Sequence, residues 1–505
     1  MCMTILVGKK ASSTGEVLIA HNEDAPGRYI MQTHIVSEKH REPGNFIKFE
    51  ADMSSLELPE ERAGLFWSEA KTFNPERPGP SFCDLYVNSY GVVICTNNCE
   101  YSKEDKPELK NGGIGYGLRR LVAERAHSAK EAVKIACELV DEYGYASSGR
   151  SYAFADKDEI YVMQIVHGKH YAISRVQDDE VAAIPNHYTI HEPENSQELI
   201  DYAIKRGWYE PDDGAFDFAK VYQAENSYMV EKNIYRHIRA LEILLDEKFP
   251  ENSPLPFSVK PSRKVNIAML KEILRSHYED ASHFTKPLTI CNIDTLESTI
   301  IEIKDNPEKI ILRRALGRPC CSPYLTWGIN SVREGYEEKE PELSLAEHFK
   351  TKPEDLDWKD NAWFRAMEIQ AACDICHYKA EIVRERVAEF EAKSGDELFD
   401  EKEAEKFMCS LKSELGIIDC EAVGKIEKGK SFRVKIPECI SLEISECLCG
   451  PSYLDVSKWS KCSGINGNEL TFEAGEWIND AVPCFMDLYL KLGKNCVGCV
   501  KIQVR

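Results

Sequence analysis

The order of predicted elements points to a layered α+β protein built on antiparallel strands. Three observations carry that prediction. Short apolar runs joined by turn residues occur at the N-terminus and again near residue 90. A helical stretch over 117–142 interrupts them. A second set of strand patterns follows at 151–174. Strands, then helices, then strands is the order of an α+β or sandwich architecture, whereas a doubly wound sheet alternates the two.

Residues 4–7 (Thr-Ile-Leu-Val) read as a buried strand, and 16–20 (Glu-Val-Leu-Ile-Ala) as its partner after the turn Ser12-Ser13-Thr14-Gly15. Such a hairpin pins Cys2 to the end of a sheet strand. Leu85–Asn88 and Val92–Thr96 bracket Tyr90-Gly91 as a second hairpin. Gly117–Arg125 reads as a helix. Ser128 and Glu131 form a capping box that opens another, running to about Glu142 with Ala132, Val133, Ile135, Ala136, Leu139 and Val140 as its apolar stripe and Gly144 as its stop. Strands are expected at Ser151–Ala155, Ile160–Ile165 and His170–Ser174, helices at 233–247 and 265–276, and strand patterns at Thr289–Ile303 and Ile310–Ala315. The tract 361–394 is strongly helical. A charged linker is expected over 395–424, and a small β-rich C-terminal domain over 425–505. No Gly-rich phosphate loop occurs between a strand and a helix, so no nucleotide cofactor is expected.

With 505 residues the chain is long enough for two or three domains. Its 63 Lys+Arg against 85 Asp+Glu give a net charge of −22. That charge repels nucleic acid and anionic membranes, and both are discounted as partners. Acidic stretches such as Glu337–Glu342 and Asp396–Glu405 read as solvated faces. The 19 cysteines are scattered and odd in number. The opening MCMTILVGKK lacks the apolar run of a secretory signal, and no run approaches the ~20 residues of a membrane span. A cytoplasmic protein with mostly free thiols is the expectation.

The chemistry starts at Met1-Cys2. An initiator Met before a small residue is normally removed, which would leave a thiol and a free α-amine on one residue. Their ordinary pKa values, about 8.5 and about 8, are close enough for the amine to take the thiol proton near neutral pH. The second feature is His21-Asn22-Glu23-Asp24 at the end of the second strand, which a hairpin returns to the neighbourhood of Cys2; from spacing alone a polar turn is the simpler reading. The third is Asn97-Asn98, and the fourth Pro185-Asn186-His187-Tyr188. Asparagine amides are neutral donors suited to a developing oxyanion, although each alone also reads as a turn residue.

Taken together these motifs resemble the C69 dipeptidase family, which includes the secernins and belongs to the N-terminal nucleophile hydrolases with the bile salt hydrolases and penicillin V acylases. The resemblance rests on Met1–Ser12, Ile19–Asp24, Asn88–Asn98, Gly149–Tyr152, Pro185–Tyr188, Cys291–Thr299 and Leu316–Pro319, which occur in the family's order over about residues 2–335. It implies a four-layer αββα sandwich over 2–394 with the β-rich C-terminal appendage beyond. It implies Cys2 as nucleophile and, through its amine, base. Asp24 would orient that residue, Asn98 and Asn186 would serve the oxyanion, and Arg236 would stabilise the transition state, with Arg239 one turn away as its competitor. His21 stands where the resemblance leads one to expect an arginine; histidine carries a charge only when protonated.

Other clusters were weighed for metals. Cys496 and Cys499, with Cys447, Cys449 and Cys484, have poor spacing for zinc and read as thiols. Cys373, Cys376 and His377 fall on one face of a continuous helix, where a packed helix is the simpler reading. Cys320-Cys321 reads as small core residues, and His167, His170 and His187 as surface or core histidines and not ligands. No cofactor and no metal are expected. The substrate expected is a small peptide. An N-acyl amide of the bile acid or penicillin V type, or a secernin-like role without peptidase activity, are the alternatives. Glu23 or Glu100 could hold a dipeptide's ammonium. Homo-oligomerisation stays open.

Overall fold

A computed structural model of the chain describes residues 2–25, 29–48, 54–72, 82–99, 101–103, 109–115, 117–227, 229–250, 253–278, 283–329, 362–395, 397–398, 400–424, 426–427, 429–438, 442–451, 454–475, 477, 484–493 and 496–504. In chain order its main strands begin with β1 (Met3–Val7), β2 (Leu18–Asp24), β3 (Tyr29–Val36), β4 (Leu65–Thr72), β5 (Phe82–Asn88) and β6 (Val93–Asn98). Helices α1 (Gly117–Arg125) and α2 (Ala129–Tyr143) follow, then β7 (Arg150–Ala155), β8 (Ile160–Ile165), β9 (Tyr171–Val176) and β10 (Val181–Ile184). After α3 (Ser196–Arg206), α4 (Phe218–Tyr222) and α5 (Glu231–Leu245) come β11 (Ser258–Val259), α6 (Ile267–Leu274), β12 (Thr295–Glu302), β13 (Ile311–Leu316) and β14 (Leu325–Gly328).

These strands make two seven-stranded sheets. One has the order β11-β10-β1-β2-β12-β13-β14, and the other β9-β8-β7-β6-β5-β4-β3. The β1–β2 hairpin lies at the centre of the first, with Thr4 opposite His21 and Met3 opposite Asn22. Every residue of β1 and β2 is buried, because both faces of this sheet are covered. Strand alternation divides the side chains. Leu6 and Ile19 join Ile301, Val87, Cys95 and Val162 in a core between the two sheets. Met3, Ile5, Leu18 and Ala20 turn the other way, onto Leu244 of α5 and Leu270, Ile273 and Leu274 of α6. On the second sheet, Ile94, Tyr152 and Phe154 pack under Leu118, Leu121 and Val122 of α1 and Ala136 and Val140 of α2. The molecule is therefore a mixed α/β protein organised around sheets.

The capping box at α2 forms in part: Ser128 Oγ accepts from the Glu131 N–H, while the Glu131 carboxylate accepts from His127 N rather than from the cap residue's own N–H. The region Thr289–Ile303 is strand only from Thr295; its first half is a buried turn that reaches the candidate site.

The helical tract is two elements, α7 (Ala362–Ile375) and α8 (His377–Ser394). Cys376, extended at φ −133°, is the N-cap of α8. This corrects the expectation that Cys373, Cys376 and His377 share one helical face. Within 395–424, expected as a charged linker, lie helix α9 (Glu401–Glu414) and strand β15 (Ile417–Ala422). Asp400 caps α9 through the N–H groups of Lys402 and Glu403. Strand β15 opens a closed barrel that continues through 432–435, 447–451, 460–466, 469–472, 484–492 and 496–504. Cys447, Cys449, Cys462 and Cys499 are buried thiols there; the side chains of Cys484 and Cys496 lie outside the described residues. No helix among the described residues is long and apolar enough to cross a membrane.

Candidate active site

The last four residues of β2 are His21, Asn22, Glu23 and Asp24, and all are buried. A polar turn would be exposed. Burying polar groups costs several kcal/mol each without partners, of order 2–7, so such a run persists only inside a network. Alternation sends His21 and Glu23 toward the second sheet, on the side of Cys2 and Thr4. Asn22 and Asp24 face α5 and α6. Asn22 Nδ2 donates to the carbonyls of Leu274 (2.9 Å) and Ile290 (3.1 Å), which locks this end of the strand to the turn after α6.

Cys2, just ahead of β1, is 2% exposed. Its Sγ lies 3.6 Å from Glu23 Oε1 and 3.9 Å from the Asp24 carbonyl oxygen. The other Glu23 oxygen is 3.4 Å from His21 Nε2. The tautomer of His21 follows from a chain of donors. Asn97 Nδ2 donates to the Ile184 carbonyl at 3.0 Å, so its Oδ1 faces Thr4. The Thr4 hydroxyl spends its one proton on that Oδ1 at 2.6 Å. Thr4 Oγ1 can then only accept from His21 Nδ1–H, 2.8 Å away. The other ring nitrogen, Nε2, is the one that faces Glu23.

Arg236, on α5 and fully buried, gathers the rest. Its Nη1 donates to the Cys2 carbonyl at 2.9 Å, and its Nη2 to Asn186 Oδ1 at 2.7 Å and Asn233 Oδ1 at 2.6 Å. Asn186 Nδ2 donates in turn to the Asn98 carbonyl at 2.6 Å, joining α5, the loop after β10 and the end of β6. One N–H of Asn186 is thereby engaged and the amide's second remains. The Asn98 side chain lies 3.5 Å from Ser148 Oγ. Asn233 Nδ2 returns to the Asn186 carbonyl at 3.0 Å. Arg239, the competing arginine, is half-buried and turned toward Ser276.

Asp24 sits against this fork: its Oδ2 is 4.0 Å from Arg236 Nη1 and accepts from Asn292 Nδ2 at 3.0 Å. Burial pushes its carboxyl up to about 6, against the pull of the chain's N-terminal ammonium, Arg236, Thr295 and Asn292. Its side chain is on the opposite strand face from the Cys2 thiol, so it acts on the backbone side of that residue. Beneath Asn186, His187 Nε2 lies 3.2 Å from His237 Nδ1. Burial drives both imidazoles down, His237 to about 3, so they stay neutral and add no charge beside Arg236.

Cys2, His21, Asp24, Asn186 and Arg236 are thus drawn into one buried network, which Asn98 joins through its backbone carbonyl. Asn233, Thr4, Asn97 and Asn292 also belong to it and were not singled out from the sequence, apart from Asn97 as Asn98's neighbour. Asn233 had a readable signal, since it lies one turn before Arg236 on the same helix face. Met1 and Glu100 lie outside the described residues. Cys2, His21 and Glu23 carry ligand-type atoms within 4.8 Å of one another, a metal-like spacing. A metal there would take the sulfur lone pair that a nucleophile needs, so the two roles exclude each other.

The fold and site define a mixed α/β protein with a buried thiol, carboxylate and guanidinium cluster at the head of a central strand. Residues 1–289 match the model of peptidase family C69, and the chain belongs to that family. It is 26% identical over 300 residues to a "Probable dipeptidase" of Latilactobacillus sakei, covering 56% of this chain and 61% of that protein. It is 27% identical over 302 residues to "Probable dipeptidase B" of Lactococcus lactis subsp. lactis, with the same coverage of 56% and 61%. A "Dipeptidase" of Bifidobacterium longum is 28% identical over 320 residues, covering 55% and 59%. The chain thus spans about three-fifths of the length of these relatives. Among solved structures, a conjugated bile acid hydrolase of Clostridium perfringens aligns with 68% of this chain and 98% of its own at 11% identity and a TM-score of 0.36.

Proposed function

We propose that this chain is a cysteine-type dipeptidase whose nucleophile is Cys2, exposed as the N-terminal residue once Met1 is removed. The observation that carries the reading is the Arg236 fork. One guanidinium holds the Cys2 backbone carbonyl, Asn186 and Asn233 together, with Asp24 beside it. That arrangement fixes the backbone of a residue whose amine and thiol both have to be placed. Family membership and relatives named as dipeptidases support the same reading.

In this mechanism the Cys2 α-amine takes the thiol proton. The thiolate attacks the peptide carbonyl, forming an S–C bond. Asn98 and the second N–H of Asn186 serve the oxyanion. The C–N bond breaks, and the leaving amine takes the proton back from the Cys2 ammonium. Water, with the amine as base again, hydrolyses the thioester. Glu23 supplies a carboxylate for a dipeptide's ammonium. A buried acid beside the thiol suits a dipeptide better than an apolar acyl group, which sets the N-acyl amide and non-hydrolytic readings second.

The catalytic domain in this proposal is a four-layer αββα sandwich within 2–394, with the C-terminal β-domain as an appendage; the barrel's first strand at Ile417 would belong to the latter. A soluble cytoplasmic location fits it. The test is a panel of dipeptides assayed beside penicillin V and a conjugated bile salt. Hydrolysis of dipeptides alone supports the reading, and hydrolysis of only the N-acyl amides overturns it.

A further inference from the structure

Away from the Cys2 thiol, the stretch 277–291 and the loop after β13 bring sulfur and imidazole ligands together. Cys291 comes from the turn before β12, Cys320 from the loop after β13, His277 from the end of the α6 segment and His283 from just beyond it. Cys291 Sγ and Cys320 Sγ are 3.5 Å apart. His283 Nε2 lies 3.3 Å from Cys320 Sγ and 4.0 Å from Cys291 Sγ. A ligand nitrogen of His277 lies within 4.8 Å of those of His283 and Cys320.

The separations among Cys291, Cys320 and His283 are close to the edge lengths of a tetrahedron around one ion, and His277 lies within reach of His283 and Cys320. Zinc–sulfur bonds of about 2.3 Å and zinc–nitrogen bonds of about 2.0 Å at tetrahedral angles put two sulfurs ~3.7 Å apart and a sulfur and a nitrogen ~3.5 Å apart. The outer contacts agree. His283 Nδ1 lies 3.5 Å from Asp374 Oδ1, so a carboxylate backs the imidazole and leaves Nε2 toward the sulfurs. His277 Nδ1 donates to the Tyr278 carbonyl at 2.9 Å, which leaves its Nε2 as the bare nitrogen. Arg318 holds Asp374 in turn through a two-pronged ion pair, Nη1 to Oδ1 at 2.8 Å and Nη2 to Oδ2. A cavity of about 420 Å³ lined by His277, His283, Cys320 and Asp374 gives the entry path.

We propose that Cys291, Cys320, His283 and His277 form a site for one thiophilic divalent cation, zinc in the first instance. Binding releases the two thiol protons to solvent and leaves a neutral Cys₂His₂ centre. The ion would tie the C-terminal end of α7, through Asp374, to the turn that carries Asn292. The Cys320-Cys321 pair, read from sequence as core, is in this account half ligand and half core. Cys321 Sγ lies 3.5 Å from Cys320 Sγ and also faces Cys373.

The test uses the full chain, reduced and stripped with a chelator, then titrated with Zn²⁺ against a chromophoric chelator and, separately, with Co²⁺. The expected result is one zinc per chain and a cobalt spectrum with thiolate charge-transfer and tetrahedral d–d bands. Cys320→Ser and His283→Gln should each weaken zinc binding by at least ~100-fold with circular dichroism unchanged. Cys409→Ser, at an exposed thiol, and Cys2→Ala should keep full stoichiometry. A wild-type chain that retains no zinc, or one whose zinc survives both ligand substitutions, overturns the proposal. Loss of the zinc in Cys2→Ala would also overturn it and would move the metal to the Cys2, His21 and Glu23 cluster. Because the readout is metal content, failure here leaves the dipeptidase reading untouched.

Discussion

Replacing Asp24 by asparagine should make the protein more stable and less active at once. The carboxyl titrates near 6 in the folded chain against 3.8 for an ordinary aspartate, with burial the largest cause. The difference is 2.2 units, and at about 1.36 kcal/mol per unit the folded state is handicapped by roughly 3 kcal/mol once Asp24 is charged in both states. The sign follows from proton counting. Below pH ~4 both states hold the proton and the handicap is absent. Between ~4 and ~6 the folded state binds more protons than the unfolded one, so stability falls as pH rises. Above ~6 the handicap is complete. An asparagine can keep the oxygen that accepts from Asn292 Nδ2 while removing the charge. Urea unfolding of wild type and Asp24→Asn at pH 4 and pH 8 measures the effect. The variant should gain up to about 3 kcal/mol at pH 8 and little at pH 4. Dipeptide hydrolysis should fall in the variant at pH 8, and wild-type activity should fall as pH drops below ~6, since the charge beside Arg236 is lost in both cases. A variant less stable than wild type at pH 8 would show that the Arg236 and Asn292 contacts outweigh burial, and would refute the reasoning.

Two further substitutions probe the neighbouring groups. Arg236→Lys keeps a charge but cannot span the Cys2 carbonyl, Asn186 and Asn233; stranding those buried acceptors should cost ~1–3 kcal/mol, and kcat/KM should drop by at least ~100-fold, read by steady-state kinetics beside thermal unfolding. Glu23→Gln removes the carboxylate that would receive a dipeptide's ammonium, so KM for dipeptides should rise in steady-state kinetics; an unchanged KM would dismiss that role for Glu23.

Much of this was legible in the sequence where one signal dominated. The β1–β2 hairpin was readable because an apolar run, a Ser-Ser-Thr-Gly turn and a second run sit in immediate succession. α1 and α2 were readable from caps and stripes. The polar end of β2 was not, because His-Asn-Glu-Asp looks like solvent-facing turn; only the neighbouring strand β12 and the helices α5 and α6 make it interior. Strands β3 and β4 pair along their whole length, yet short hairpins and loops separate them in sequence. β10, only Val-Ala-Ala-Ile, is too short to announce itself. Helix α9 was hidden by its charges, although Ala404, Phe407, Met408 and Leu411 keep helical spacing beneath them. Cys2, Asp24, Asn186 and Arg236, which the structure gathers in one buried network, were reachable through motif order. Asn292 was not, since its meaning lies in the bond it donates to Asp24 across 268 residues of chain.

The most direct test of the central claim is intact-protein and peptide mass spectrometry of the purified chain before and after iodoacetamide, with dipeptide hydrolysis followed in the same samples. The account predicts a chain beginning at Cys2, one alkyl group on that thiol, activity lost in proportion to its labelling, protection by a dipeptide, and a folded but inactive Cys2→Ala variant. Hydrolysis that persists in Cys2→Ala, or an active chain that keeps Met1, would contradict it.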